Sequence, residues 1–107
     1  MFNNPNQIPF ENHLERLQEP ARTIMIDLRA FVKSLGANVL EEVRPHRVVY
    51  AKTMNFRIFL DIEPAVDSLV LSIKQSRTLP QEITRIKTTQ DAEIVKKKIA
   101  EAFQKIQ

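Results

Sequence analysis

The spacing of apolar residues changes once near the middle of this chain and changes back near its end. That double switch restricts the fold more than any other feature. Before Gly36 the spacing is helical: Phe10, Leu14 and Leu17 form one stripe, and Ile24, Leu28, Phe31 and Leu35 form a second, widened by Met25 and Val32. From His46 the period falls to two. Phe56, Ile58, Leu60 and Ile62 alternate with Asn55, Arg57, Phe59, Asp61 and Glu63, the pattern of a strand with one face buried. From Ala92 the helical spacing returns through Val95, Ile99, Ala102, Phe103 and Ile106. Two helices, then strands, then a helix predict an α+β domain in which the helices lie on one face of a small antiparallel sheet and the other face meets solvent.

Local chemistry sets the expected boundaries. Three Asn, two Pro and one Gln in residues 1–9 predict a flexible arm, leaving 10–107 as a single domain. The first helix should stop before Pro20, and Pro20 suits the first turn of a second helix running to Leu35. Gly36, the only glycine, follows at the position of a left-handed C-terminal cap. "ANVLEEV" has helix formers but room for only a turn or two before Pro45. Strands are expected at Arg47–Lys52, through the alternating segment, at Ser68–Lys74 and, shorter, at Ile83–Thr88, so the sheet has three or four strands within about 46–88. "KTMN" and "EPAVDS" serve as connections, with Pro64 ending a ladder. Thr88 and Asp91 stand at capping-box spacing before a last helix of about 90–106, where Glu93–Lys97 and Glu101–Lys105 fall at i, i+4.

Composition narrows the chemistry by elimination. There is no cysteine, which removes disulfides, thiolate nucleophiles and Cys-rich zinc sites and fits a reducing compartment. His13 and His46 have no ligand spacing between them, so no metal and no cofactor is expected. Without a signal peptide or an apolar run of membrane-spanning length, the expected setting is soluble and cytoplasmic, with no membrane partner. The net charge is +3, and its surplus is uneven. From Arg44 to Thr88 stand eight cations (Arg44, Arg47, Lys52, Arg57, Lys74, Arg77, Arg85 and Lys87) against four anions (Asp61, Glu63, Asp67 and Glu82).

The run "LRAFVKSLGANVLEEVRPHRVVYAKTMNFRIFLDIEP", residues 28–64, resembles an uncharacterised family, domain of unknown function 5655. The matching residues are Leu28, Arg29, Phe31, Leu35, Gly36, Glu41, Glu42, Val43, Tyr50, Lys52, Asn55 and Phe56, and "KKIAEAF" is similar to the family's closing helix. The resemblance implies an α+β domain found alone or appended to nuclease-like domains, with no established activity. Members carry a loop with glycine and histidine before the last strand, and "QSRTLPQEITRI" has neither. The layout is also distantly similar to small iron-chaperone-like α+β domains.

No catalytic signature stands out, and three readings follow. The first is a non-enzymatic binding module that engages nucleic acid, or a protein associated with it, through a basic sheet face. Arg47, Arg57, Lys74, Arg85 and Lys87 would supply the cations and Phe59 a stacking ring for a base. The second is a small-ligand or catalytic site built from Glu42, His46, Tyr50, Lys52 and Asn55, in which the tyrosine or lysine handles a proton beside an acidic partner. The third is a protein-interaction or homodimerisation domain, since an exposed strand edge can accept a partner. A monomer and a homodimer are both compatible with the sequence. Asp61 and Glu63 share a sheet face and are the carboxylate pair open to a divalent cation. The lysines of "VKKK" read as a solvated helix face.

Overall fold

The structure is a computed structural model that describes residues 8–54, 56–76 and 78–106. Asn55, Arg77 and residues 1–7 of the expected arm lie outside the described residues. Helices α1 (Phe10–Arg16) and α2 (Ala21–Ser34) precede strands β1 (Val39–Val43), β2 (Val48–Lys52), β3 (Arg57–Pro64), β4 (Leu69–Ile73) and β5 (Glu82–Ile86), and helix α3 (Thr89–Lys105) closes the chain. The strands form one antiparallel meander in the order β1-β2-β3-β4-β5. This is the expected α+β class, with five strands where three or four were expected.

The additional strand is β1. "ANVLEEV" carries no alternation of apolar and polar residues, because Leu40 points away from the helices while Glu41 points toward them. Pairing supplies what patterning lacks: Val39 to Val43 lie opposite Lys52 to Val48, and the Arg44 N–H donates to the Arg47 carbonyl across the Pro45–His46 turn. Ile8, expected in the arm, sits at this edge, donating to the Val43 carbonyl and packing on the core.

The helices cover one face. Ile24, Met25, Leu28 and Val32 of α2 and Ala92, Val95, Ile99 and Ala102 of α3 meet Val48, Tyr50, Leu60, Ile62, Leu69, Leu71, Ile73 and Ile86 of the sheet in one buried cluster. Thr88 and Asp91 form a full capping box at the start of α3, each side chain bonding the other's backbone N–H. Glu101 pairs with Lys105 as expected, whereas Glu93 pairs with Lys96 rather than Lys97, because Lys96 also reaches Asp27 of α2. Pro20 is the N-cap of α2 rather than its first turn, and the Glu19 carboxylate accepts from the Thr23 N–H and hydroxyl. The Arg22 guanidinium donates back to the Leu14 and Leu17 carbonyls, satisfying acceptors left open at the end of α1.

Gly36 does not have the left-handed backbone expected of a C-terminal cap. Its use is spatial: a Cβ there would stand 2.7 Å from Asn38 Oδ1 and 3.2 Å from Phe103 Cζ. The closer atom is the tip of an exposed side chain that can swing aside. Gly36→Ala is therefore expected to change stability by less than ~1 kcal/mol in a denaturant melt, whereas a strained φ would make the substitution costlier than that.

The largest departure from the sequence pattern lies in β3. Tyr50 pairs with Leu60 but the next residue, Ala51, pairs with Ile58, so a β-bulge leaves Phe59 without a partner opposite it. The added residue turns Phe59 and Leu60 both toward the helices, and each is fully buried. Phe59 meets the Phe103 ring edge-on, with centroids 5.3 Å apart. On the N-terminal side of the bulge every face is inverted. Phe56 and Ile58, expected in the core, are 71% and 38% exposed, and Phe56 has a positive φ of 53°.

Candidate functional site

The helix-free face of the sheet is where the sequence leads us to expect a binding surface, and register defines what is on it. Across β1 to β5 it carries Leu40 and Glu42, Val49 and Ala51, then Ile58, Asp61 and Glu63, then Val70 and Ser72, then Ile83 and Arg85. Val49 and Ala51 lie on the open side and are nevertheless buried. Leu40, Ile58 and the projecting Phe56 wall a hollow of about 120 Å³ above them. Charge rings this apolar patch. Arg44 bonds Glu42 at 2.6 Å; Arg47 bonds Asp61 at 2.9 Å and approaches Glu63 to 3.6 Å. The carboxylates Glu42, Asp61 and Glu63 thus offset Arg44, Arg47 and Arg85 on this face.

The six residues singled out for nucleic acid do not assemble. Phe59 is core, a correction that follows from the bulge, and it offers no ring to a base. Arg47 is held by acids on its own face, and Lys87 stands 4.0 Å from Asp67. Arg57, one residue beyond the inverted Ile58, is not on the open face with Asp61 as expected: it pairs with Lys52, which lies on the helix side. Arg57 and Lys74 line a hollow with Phe56, Ile58 and Ile106. Arg85 lies opposite Val70, whose other neighbour is Glu63, so it is separated from Arg57 by six residues of β3, about 20 Å.

The residues of the ligand or catalytic reading are dispersed too. Tyr50 is fully buried on the helix side, and its hydroxyl donates to Glu41 Oε2 at 2.7 Å. Arg29 of α2 bonds both oxygens of the same carboxylate at 2.9 and 3.0 Å while stacking over Phe10, and Lys33 stands 3.5 Å away. Burial pushes the Tyr50 hydroxyl far above the usual tyrosine range, and the neighbouring Glu41 charge and hydrogen bond add to it. For Glu41, burial raises the pKa, but the bonds from Arg29 and Tyr50 outweigh it and hold the carboxyl below its ordinary value. A phenol kept protonated and locked to a carboxylate orients an edge strand against a helix. Lys52 donates to the Ile106 carbonyl and lies over the Phe103 ring, tying down the end of α3. Glu42 is on the opposite face from Tyr50, His46 is exposed in the β1–β2 turn, and Asn55 lies outside the described residues.

No cluster of three or more His, Cys, Asp or Glu placed to hold a metal occurs among the described residues. Asp61 and Glu63 do share the open face as expected, but the Arg47 guanidinium stands where a cation would. Among the described residues no helix is long and apolar enough to cross a membrane.

A hollow of about 330 Å³ opens where the β1–β2 and β3–β4 turns meet α1. His13, Arg16, His46, Glu63 and Arg85 surround it, with Pro45, Pro64, Ala65, Val66 and Val70 as apolar wall. His13 is buried and bonds the Arg44 carbonyl through Nε2 at 2.7 Å. Sequence reasoning assigned His46 and Arg85 to different readings and left Arg16 out. No periodic signal links a helix end to two distant turns.

No family model matches the chain, and searches of curated proteins and of solved structures return no significant match.

Proposed function

We propose that this chain is a non-enzymatic interaction module and that its open sheet face takes up a second copy of itself. The carrying observation is the apolar patch of Leu40, Val49, Ala51, Phe56 and Ile58, which no other described element covers and which is flanked by acid–base pairs. A bulky residue with positive φ costs of order 1–3 kcal/mol, and here it holds an aromatic ring in solvent at the patch's edge. An interface with an apolar centre and a polar rim is the common anatomy of protein contacts. The charge balance favours a like partner. A rim holding both Glu42, Asp61, Glu63 and Arg44, Arg47, Arg85 can oppose its own copy without net repulsion, as a two-fold contact requires.

Size sets the strength. Five strands ~4.8 Å apart and about five residues long span roughly 400 Å², well under the ~800 Å² per partner of a standard interface. A contact this small belongs with weak, transient associations. Sedimentation velocity over a concentration series is expected to show wild-type association and a monomeric Ile58→Asp variant with an unaltered melt. A wild type that stays monomeric at millimolar concentration, or a variant that still associates, removes the reading.

The nucleic-acid reading has weaker support, because its basic face is balanced by acids and its aromatic platform is core. Oligonucleotide titration at ~150 mM salt should then give no saturable binding; a steep salt slope with tight binding at low salt would revive that reading.

A further inference from the structure

We infer that the hollow between α1 and the β1–β2 and β3–β4 turns is a binding site for a small organic anion, a carboxylate or phosphate ester with a short apolar body. Arg16, His46 and Arg85 approach it from three separate elements: the end of α1, the β1–β2 turn and β5. The hollow shares Glu63 and Arg85 with the charged rim of the open face but lies apart from the apolar patch, which centres on Ile58, five residues or about 16 Å along β3 from Glu63, so binding there requires no second copy.

The guanidinium groups carry the argument. Arg85 donates through Nη1 to the buried Ser68 hydroxyl at 2.6 Å, which fixes the orientation of its fork. A guanidinium has five N–H donors, so most of the fork is left for a ligand oxygen, and its planar geometry matches a carboxylate or phosphate. Neither the Arg16 guanidinium nor the His46 ring makes a hydrogen bond or ion pair with another described residue. The one carboxylate at the rim, Glu63, is drawn toward Arg47 on the open face. An excess of cationic donors around a concave site is an anion's environment, and the apolar lining of Pro45, Pro64, Ala65, Val66 and Val70 favours apolar atoms over a bare ion. At about 330 Å³ the hollow is at the lower end of the ~300–1,000 Å³ typical of ligand pockets, which suits a small acid.

The floor of the site is rigid. The Gln18 N–H donates to the Val66 carbonyl and the Ala65 N–H to the Ser68 carbonyl, fastening the β3–β4 turn to the α1–α2 connection. His13 bonds the Arg44 carbonyl, fastening α1 to the β1–β2 turn. Such a pre-formed site binds without paying to order its loops.

The test is an amide-resolved NMR titration of the full chain with isobutyrate and, separately, with inorganic phosphate, at ionic strength held constant with sodium chloride. The expected result is saturable shifts confined to residues around His13, Arg16, His46, Ala65, Val66 and Arg85, with isobutyrate or phosphate preferred according to which head group the fork fits. Arg85→Gln and Arg16→Gln should each weaken binding at least ten-fold, and Glu63→Gln should tighten it about two-fold or more. Both arginines are exposed, so a thermal melt should find the variants folded. Ile58→Asp, which monomerises the chain under the preceding proposal, should bind as wild type does. Non-saturable shifts with both probes, shifts scattered over the surface, or equal binding by Arg85→Gln would overturn the assignment, as would loss of binding in Ile58→Asp.

Discussion

Phe59→Ala should destabilise the protein by about 3–5 kcal/mol, while the neighbouring Ile58→Ala should cost less than ~1 kcal/mol. The two residues are adjacent on one strand and equally apolar, and alternation alone assigns them the reverse effects. Phe59 has no exposed surface and sits edge-to-face with Phe103 of α3, so truncation leaves a cavity between the sheet and the closing helix. The lost ring contact adds to the lost burial, since aromatic pairs contribute ~0.5–1.5 kcal/mol beyond area. Ile58 is more than a third exposed on the open face, so its truncation forfeits less buried surface and leaves no enclosed cavity. Urea melts of the two variants, run dilute enough to keep any dimer dissociated, measure the difference directly. Equal costs would mean that the bulge between β2 and β3 is misplaced, and with it the composition of the open face.

Glu41→Leu is the second large effect, at about 2–3 kcal/mol. The substitution strands the Tyr50 hydroxyl, which is wholly buried, and takes from Arg29 both of its carboxylate bonds. A buried donor without an acceptor costs ~1–3 kcal/mol, and a charge losing its partner adds to that. Glu41→Leu combined with Tyr50→Phe should recover ~1 kcal/mol or more, because the second change removes the stranded hydroxyl. The pH dependence has a definite sign. The folded carboxyl of Glu41 lies below its unfolded value of ~4.3, so its contribution is fully present above that pH and is lost as pH falls through the folded pKa. The stability gap between wild type and Glu41→Gln should therefore be constant near neutrality and narrow below about pH 4. A gap that widens in acid would show that the carboxyl is not the stabilised partner.

The two results bear on function through the same geometry. Were Phe59 outside and Ile58 inside, the open face would hold an aromatic ring among cations. With the bulge it holds an apolar patch beside which Arg44 and Arg47 are paired with acids. One residue of register separates a surface suited to a polyanion from one suited to a protein.

How much was legible in the sequence varies by element for physical reasons. The stripes of α2 and α3, the capping box at Thr88 and Asp91, and the alternation of β4 are local patterns that packing reinforced. β1 was unreadable because its central inward residue, Glu41, is an acid, which only the approach of Arg29 and Tyr50 makes tolerable. The cationic hollow was unreadable because His13, Arg16, His46 and Arg85 are spread over more than seventy positions, and chain spacing carries no information about such a meeting.

By itself, then, the sequence determined the α+β class, the helical faces and the alternating strands, because periods of 3.6 and 2 report which side of an element can leave water. Tertiary structure alone decided which side of β3's first half that was. The segment from Phe56 to Ile58 alternates equally well in either orientation, and the choice was made by the bulge opposite Tyr50 and Ala51, where filling the space beside Phe103 with the Phe59 ring outweighed burying Phe56 and Ile58.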